Sequence, residues 1–192
     1  NNTKTKYFLG TKYVPLRKEF WNMKNKHISD NVENVLIMTG GSDPYNIAEL
    51  MLCGIDRSKY KKIDVICGRY NANYNDLVVR YRNESNVSIH RNVSNMEDYM
   101  TNADIAISAG GTTLYELCAC GTPAISYTFA DNQMGNAIQF DEEGMILYAG
   151  DFRKDDAVDS IRSLLEDMKN DYELRQHYSV RMKQFVDGKG AG

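Results

Sequence analysis

The sequence has no apolar run long enough to cross a membrane, and no signal-peptide pattern opens it. It also has no excess of basic residues, because 23 lysines and arginines against 26 acidic residues give a formal net charge of −3. A nucleic-acid partner is therefore not expected, since such proteins carry a basic face. With 42% hydrophobic and 26% charged residues over 192 positions, the chain has the composition of one ordinary globular domain.

Cysteine and histidine are scarce, and their spacing fits no metal site. The four cysteines lie in apolar segments without a C-x-x-C pair, at Cys53, Cys67, Cys118 and Cys120. This pattern predicts reduced, buried thiols in a cytoplasmic protein. The three histidines are scattered along the chain, at His27, His90 and His177. We therefore expect no metal ion and no catalytic histidine in this chain.

Short apolar runs alternate with segments of helical pattern. The runs are rich in β-branched residues and nearly continuous, which is typical of strands buried on both faces. We predict strands at Val35–Thr39, Ile63–Cys67, Val87–His90, Ile105–Ser108, Ala124–Tyr127 and Ile146–Tyr148. We predict helices at Tyr45–Ile55, Tyr74–Asn83, Asn95–Thr101, Thr113–Cys120, Gln133–Glu142, Asp155–Met168 and Asp171–Phe185. The alternation predicts an α/β fold with a doubly wound, Rossmann-like parallel sheet of about six strands.

Local signals mark several boundaries. Residues 1–30 carry no clear period, and we interpret them as a connecting segment lying against a domain of residues 31–192. Asp43 before Pro44 predicts a helix N-cap with proline at the first helical position. Gly121, shortly before a proline, predicts the end of a helix.

Two loops with paired glycines follow the first and fourth predicted strands. They are TGGSDP (Thr39–Pro44) and SAGGTT (Ser108–Thr113). Ligands of open parallel sheets bind beyond the carboxyl ends of the strands, where the strand order reverses. If the strands follow the common order 3-2-1-4-5-6, the first and fourth are neighbours, and the two loops lie side by side.

These loops favour a phosphorylated ligand. Glycine lets the backbone approach an anion closely and adopt a positive φ. The helix beginning near Thr112 adds free N–H groups and the positive end of its dipole, and Thr112 and Thr113 add hydroxyl donors. The alternative is that the glycines only shape tight strand-to-helix turns. Because a carboxylate beside a phosphate is unfavourable, we assign Asp43 to the helix cap.

Glu116 has two candidate roles. In a capping box that starts at Thr113, its side chain folds back onto the N-cap amide. Alternatively its carboxylate, one turn into the helix, accepts hydrogen bonds from two ribose hydroxyls. The local sequence by itself favours the capping box.

Other nucleotide-binding motifs are absent. The sequence contains neither G-x-x-x-x-G-K-[ST] nor G-x-G-x-x-G, and CGRYN, at the end of the second strand, lacks the acidic residue that holds an NAD ribose. NAD, FAD and ATP hydrolysis are therefore disfavoured, and we expect no cofactor.

The stretches SAGGTTLYELCACGTPAISY and ADNQMGNA resemble the C-terminal domain of two-domain, GT-B-type nucleotide-sugar enzymes, such as the lipid II-forming N-acetylglucosaminyltransferase. Three further stretches resemble the UDP-sugar hydrolase of the pseudaminic acid pathway and related spore coat polysaccharide proteins. They are FLGTKYVPLRKEF (Phe8–Phe20), TGGSDPYN (Thr39–Asn46) and DGKGA (Asp187–Ala191). The resemblance covers nearly the whole chain in matching order.

The resemblance implies a UDP-sugar substrate and assigns candidate binding residues. Those expected at the diphosphate are Gly110, Gly111, Thr112 and Thr113, in the loop that Ser108 begins. Glu116 is expected at the ribose, and the loop Asn92–Ser94, with Val93, at the uracil through backbone groups. Those expected at the sugar or distal phosphate are Asn132, Gln133 and Asn136. The opposite side of the cleft would be lined by Gly40, Gly41 and Ser42. For Asn136 a packing or capping role stays open, and for Asn132 a turn.

One departure concerns the catalytic base. In the hydrolase it is a histidine in a glycine-rich loop near the start of the N-terminal domain, and no G-x-G-H occurs here. We therefore expect this chain to be a nucleotide-binding half, inactive alone, whose partner is its own N-terminal domain. The alternatives are a GT-B glycosyltransferase of polysaccharide biosynthesis, a non-catalytic nucleotide-sugar-binding protein, and a sugar epimerase.

Overall fold

A computed structural model describes residues 14–154 and 156–186 as a six-stranded sheet with helices on both faces. The strands are β1 (Asn34–Met38), β2 (Lys62–Cys67), β3 (Val87–Arg91), β4 (Ile105–Ala109), β5 (Ala124–Thr128) and β6 (Leu147–Asp151). All five strand pairs are parallel, in the order β3-β2-β1-β4-β5-β6. The predicted fold class and strand order are confirmed.

Seven α-helices cover the sheet in the part of the chain that the structure describes. They are α1 (Ile47–Gly54), α2 (Tyr74–Tyr81), α3 (Met96–Asn102), α4 (Thr113–Cys120), α5 (Asp131–Glu142), α6 (Ala157–Asn170) and α7 (Tyr172–Phe185). Val35 and Ile37 of β1 pack on one face with α1, α2 and α6, whereas Leu36 and Met38 pack on the other with α3, α4 and α7. Burial on both faces explains the continuous apolar runs. No helix among the described residues has the length and apolarity needed to cross a membrane.

Helix α4 begins and ends at the predicted residues. Gly121 follows it with φ +69°, and its N–H donates to Cys118 O at 3.0 Å, while Thr122 N donates to Leu117 O at 3.1 Å. These two bonds satisfy carbonyls at the end of the helix, and the left-handed conformation suits glycine. The predicted helix end at Gly121 is confirmed.

The start of α1 differs from its predicted position. The helix begins at Ile47 rather than at Tyr45, so Pro44 lies in the preceding turn and not at the first helical position. Asp43 is buried, and its carboxylate accepts hydrogen bonds from Ile47 N at 2.6 Å and from Ala48 N at 3.0 Å. The N-cap residue is Asn46, so the predicted N-cap position of Asp43 is wrong, although the Asp43 carboxylate does accept hydrogen bonds from the first two amides of the helix.

All four cysteines are free thiols, and one prediction about them is wrong. Cys67, Cys118 and Cys120 are buried, whereas Cys53 is exposed near the end of α1. Its Sγ lies 3.4 Å from the carboxylate of Glu49 and 3.7 Å from the hydroxyl of Tyr81. The apolar neighbours of Cys53 in sequence point into the core, but the helical twist turns Cys53 itself outward.

Residues 14–30 pack closely onto the sheet and helices. Phe20 is fully buried, and Lys183 Nζ of α7 donates to Met23 O at 2.7 Å. The guanidinium of Arg175, 1% exposed, donates to Ser29 O and Asp30 O at 2.9 Å each. The remaining positions of the predicted connecting segment, and the DGKGA stretch, lie outside the described residues.

Arg175 also joins α6 to α7. Its NH1 group donates to Met168 O at 2.6 Å and to Lys169 O at 3.1 Å, at the carboxyl end of α6, where a positive charge is favourable. One buried guanidinium therefore satisfies four carbonyl groups from two separate parts of the chain.

We expect Arg175→Met to lower the free energy of unfolding by about 2–4 kcal/mol, because four carbonyls lose their guanidinium donor, one in a buried contact and three in partly buried ones. Arg175→Lys keeps the charge but has only one donor nitrogen. Its free energy of unfolding should therefore lie between those of the unaltered protein and Arg175→Met. Urea denaturation measures both changes. Arg162→Ala, at an exposed pair with Asp159, is the control and should change stability by less than about 0.5 kcal/mol. Equal effects of Arg175→Met and Arg162→Ala would contradict this role.

Candidate functional site

A cavity of about 260 Å³ opens at the carboxyl ends of β1, β2 and β3, beside the start of α4. Its lining residues are Met38, Gly40, Gly41, Ile66, Cys67, Gly68, Arg69, Asn92, Val93, Met96 and Thr113. Apolar side chains and glycine backbone make up most of this surface. No aspartate or glutamate of the described residues lines the cavity, so it presents no carboxylate to an anionic ligand.

The loops after β1 and β2 contact each other through their backbones. Tyr70 N donates to Gly41 O at 3.0 Å. A Cβ atom added at Gly68 would lie 1.9 Å from Gly40 O, so only glycine permits this approach. Gly40 itself has φ +75°, the left-handed region that glycine adopts without strain. The structure thus accounts for Gly40 and Gly68 by conformation and packing.

The loops after β1 and β4 are neighbours, as the sequence predicted. Residues of β1 and β4 pair from Val35↔Ile105 to Met38↔Ser108, and a Cβ added at Gly40 would lie 3.9 Å from Ala109 Cβ. The two glycine loops therefore lie side by side at the point where the strand order reverses. This is the position at which open parallel sheets bind ligands.

In the second loop, which follows β4, packing requires glycine at position 110 but not at position 111. A Cβ added at Gly110 would lie 2.9 Å from Ala137 Cβ and 3.1 Å from Thr128 Cγ2, so packing against α5 explains this residue. Nothing lies within 4 Å of a Cβ added at Gly111 or at Gly41, and neither residue has a positive φ. Neither packing nor conformation therefore requires glycine at positions 41 and 111.

In the second loop, the first backbone amides without an acceptor in the part of the chain that the structure describes are those of Thr112 and Thr113. Gly110 N donates to Tyr127 O and Gly111 N to Ala109 O, each at 2.8 Å. Within the described residues, the amides of Thr112 and Thr113 have no such acceptor, because they lie at the start of α4. Together with the helix dipole, these two N–H groups form a local site of positive potential.

Asn136 of α5 braces the second loop. Its Nδ2 donates to Gly110 O and to Gly111 O at 3.2 Å each, and its Oδ1 accepts a hydrogen bond from the hydroxyl of Tyr115 at 3.0 Å. The side-chain NH2 group of Asn136 is therefore used on the backbone of the loop. This arrangement agrees with the packing role that the sequence left open for Asn136.

The other candidate residues occupy varied positions. Gln133 Oε1 accepts a hydrogen bond from Phe129 N at 3.0 Å, which satisfies an amide at the start of α5. Asn132 and Ser42 are exposed. Ser108 is 1% exposed within β4, and its hydroxyl donates to Ala109 O at 3.2 Å, so it does not reach the cleft surface.

Glu116 forms no capping box. The N-terminus of α4 has no side-chain cap, and Glu116 Oε1 instead accepts a hydrogen bond from Arg17 Nε at 3.0 Å. The Glu116 side chain is 16% exposed. Burial raises its pKa above the usual range, although the hydrogen bond from Arg17 and the charge of Arg17 act in the opposite direction. The structure places this carboxylate one turn into α4, paired with Arg17 and outside the cavity lining.

Sequence reasoning missed two cationic residues at the site. Arg69 lines the cavity from the loop after β2, and Arg17 reaches Glu116 across 99 positions of sequence. The CGRYN stretch offered a signal for Arg69, because it ends a strand that borders the cleft. Arg17 lies in a segment without periodicity, so its position depends on tertiary packing.

We expect Asn136→Asp to loosen the loop, because carboxylate oxygens would face the carbonyls of Gly110 and Gly111. The free energy of unfolding should fall by about 1–3 kcal/mol. Amide hydrogen exchange at residues 110–113 should become faster in the protein without ligand. Asn132→Asp, at an exposed position of the same helix, is the control and should change neither quantity. Unchanged exchange in Asn136→Asp would contradict the bracing role.

Comparison with known proteins agrees with this architecture. A family model described as "Glycosyltransferase family 28 C-terminal domain" matches residues 35–186. Spore coat polysaccharide biosynthesis protein SpsG of Bacillus subtilis is 26% identical over 192 residues, which cover 97% of this chain and 56% of SpsG. A UDP-N-acetylglucosamine–N-acetylmuramyl-(pentapeptide) pyrophosphoryl-undecaprenol N-acetylglucosamine transferase of Campylobacter jejuni is 31% identical over 134 residues, 64% of this chain and 37% of its own length.

Among solved structures, Acinetobacter baumannii MurG is similar with a TM-score of 0.63 and 17% identity, over 87% of this chain and 52% of that one. At this identity the likeness shows the fold alone. The chain spans between 37% and 56% of the length of the two curated relatives named above. Because the family model matches residues 35–186, which are most of the sequence, this chain belongs to the glycosyltransferase family 28 C-terminal domain family.

Proposed function

We propose that this chain is the UDP-sugar-binding half of a UDP-sugar hydrolase in nonulosonic acid or surface-polysaccharide biosynthesis. The observation that carries the proposal is the pair Gly41 and Gly111, which the fold does not require to be glycine. A ligand that approaches the backbone closely at both loops accounts for them.

The proposed ligand lies along the carboxyl edge of the sheet. Its diphosphate accepts hydrogen bonds from the amides of Thr112 and Thr113, next to the open backbone of Gly41 and Gly111. Its uracil occupies the cavity beside the loop 92–94, where Met38, Ile66 and Met96 provide an apolar surface. Its ribose hydroxyls donate to Glu116. Charge at the phosphates is balanced by the α4 N-terminus, so this binding needs no metal ion.

In the proposed reaction, a water oxygen bonds to the anomeric carbon of the sugar while the bond from that carbon to the diphosphate oxygen breaks. The departing UDP takes the electron pair of this bond. The proton from water passes to a base in the N-terminal half, since no histidine of this chain lies in the cleft. The amides at the start of α4 stabilise the charge that develops on the departing UDP.

The names of two relatives bear on the choice between hydrolysis and glycosyl transfer. SpsG matches over 97% of the chain, including the segment before β1, and its name places that protein in polysaccharide biosynthesis. The C. jejuni relative is named as a transferase and matches over 64% of the chain. We favour hydrolysis because the flanking stretches follow the hydrolase pattern. Glycosyl transfer with the same departing UDP is the second candidate.

Binding is tested by calorimetric titration of the protein with UDP. Gly111→Ala should weaken binding at least about tenfold and change stability by less than about 0.5 kcal/mol, because its methyl group meets only open space in the free protein. Gly110→Ala is the contrasting variant and should lower stability by about 1–3 kcal/mol through overlap with α5. Glu116→Ala should weaken binding by about 1–3 kcal/mol, as expected for hydrogen bonds to a charged group.

Full affinity for UDP in Gly111→Ala would show that position 111 makes no close ligand contact. Absence of UDP binding by the folded full-length protein would overturn the proposed ligand.

Turnover is tested on the full-length protein with a UDP-sugar and no acceptor. We expect free sugar and UDP in equal amounts, whereas the 192-residue chain alone should bind UDP without turnover. Strict dependence on an acceptor would identify a transferase, and a product that still carries UDP would identify an epimerase. Binding without any turnover, even with acceptors supplied, would identify a non-catalytic binding protein.

A further inference from the structure

The segment that precedes β1 contributes a residue to the site. We propose that Arg17 is a positioning residue that acts through Glu116, keeping its carboxylate ionised for the ribose of the ligand. This inference rests on the proposed function, because Glu116 is the residue proposed to bind the ribose. It assigns a role in ligand recognition to a segment that the sequence indicated only as a connection.

Arg17 is held in place by its neighbours on both sides. Leu16 and Phe20 are buried among the residues of α4 and α7, and Phe20 N donates to Arg17 O at 3.0 Å. Trp21 Nε1 donates to Leu16 O at 2.9 Å, and the guanidinium lies 5.0 Å from the centre of the Phe20 ring. These contacts fix the backbone on both sides of Arg17, and its 48% exposed side chain extends from this anchored position to Glu116.

The guanidinium of Arg17 interacts with several carboxylates. Arg17 Nε lies 3.0 Å from Glu116 Oε1, and Arg17 NH1 lies 3.2 Å from Glu19 Oε1. The charge of Glu97, on α3, also acts on Arg17. Further along α4 lie the thiols of Cys118 and Cys120, and the charge of Glu116 acts on Cys120. On the side of α7, Lys183 Nζ donates to Ala119 O at 2.9 Å.

The ion pair leaves part of Glu116 free for a ligand. Arg17 engages Oε1, and among the described residues no hydrogen bond involves Oε2. An ionised carboxylate accepts hydrogen bonds at both oxygens, whereas a protonated one has a hydroxyl that must donate. Two ribose hydroxyls therefore need the ionised form. Because burial favours protonation of Glu116, the opposing charge of Arg17 has a direct chemical consequence.

The effect of each neighbouring charge on the pKa of Glu116 can be tested in the protein without ligand. Arg17→Gln removes the positive charge, so the pKa of Glu116 should rise. Glu19→Gln removes a like charge, so the pKa of Glu116 should fall. Arg17→Lys should restore most of the lowering. The measurement is an NMR titration of the carboxyl carbon of Glu116 in the full chain, assigned with Glu116→Gln. An unchanged Glu116 titration in Arg17→Gln would overturn the proposal.

A second measurement connects this charge effect with recognition. Uridine is the probe, because it carries the ribose and has no phosphate for the Arg17 cation to bind directly. Affinity should fall about tenfold per pH unit below the pKa of Glu116, and this fall should begin at higher pH in Arg17→Gln. At a pH where Glu116 is ionised in both proteins, their affinities should agree within about twofold.

The outcomes separate this inference from the proposed function. An equal loss of uridine affinity at every pH would mean that Arg17 contacts the ligand or only supports the fold, and would overturn the positioning role. If the unaltered protein binds neither uridine nor UDP, the proposed function fails. The NMR titration in the ligand-free protein still decides whether Arg17 keeps Glu116 ionised.

Discussion

The pairing of β1 with β4 in the centre of the sheet determines where every part of the site lies. Because both strands are parallel and run from Val35↔Ile105 to Met38↔Ser108, their carboxyl ends finish at the same edge. Two glycine loops, separated by about seventy positions in sequence, thereby become neighbours. The α4 N-terminus follows one of these loops directly, so its dipole points at the gap that the strand order creates.

An acidic chain can form an anion site when each nearby carboxylate already has donors. The carboxylate of Asp43 is occupied by two amides of α1, and that of Glu116 by Arg17. Backbone N–H groups, rather than a cluster of cations, then provide the positive potential. This arrangement is compatible with a formal net charge of −3, because potential inside a cleft depends on local groups more than on the total.

The sequence predicted the elements well where one strong physical cause acts. Mostly apolar runs identified all six strands, and the signal is strongest for β1, β4 and β5, which are buried on both sheet faces. Helix α4 was placed at its observed ends, since a glycine turn precedes it and Gly121 ends it. The start of α1 was placed two residues early, because proline is also common in a turn before a helix.

The details of the site were harder to predict, because they depend on contacts between distant residues. Asn136 resembles a ligand-binding amide in sequence, yet its hydrogen bonds to Gly110 O and Gly111 O become visible only when α5 is packed beside the loop. Likewise the motif of Thr113 and Glu116 fits a capping box, but the partner that Glu116 takes lies in a segment without a pattern. At such positions tertiary contacts override local sequence preferences.

The way residues 14–30 attach has a consequence for how this unit could be exchanged between enzymes. Phe20 belongs to the apolar core, and the carbonyls of Ser29 and Asp30 complete the coordination of Arg175. A junction placed at the first strand would remove an aromatic core side chain and leave a buried guanidinium short of acceptors. A fusion of this domain to another protein should therefore be joined upstream of Leu16, so that residues 16–30 stay with the core they complete.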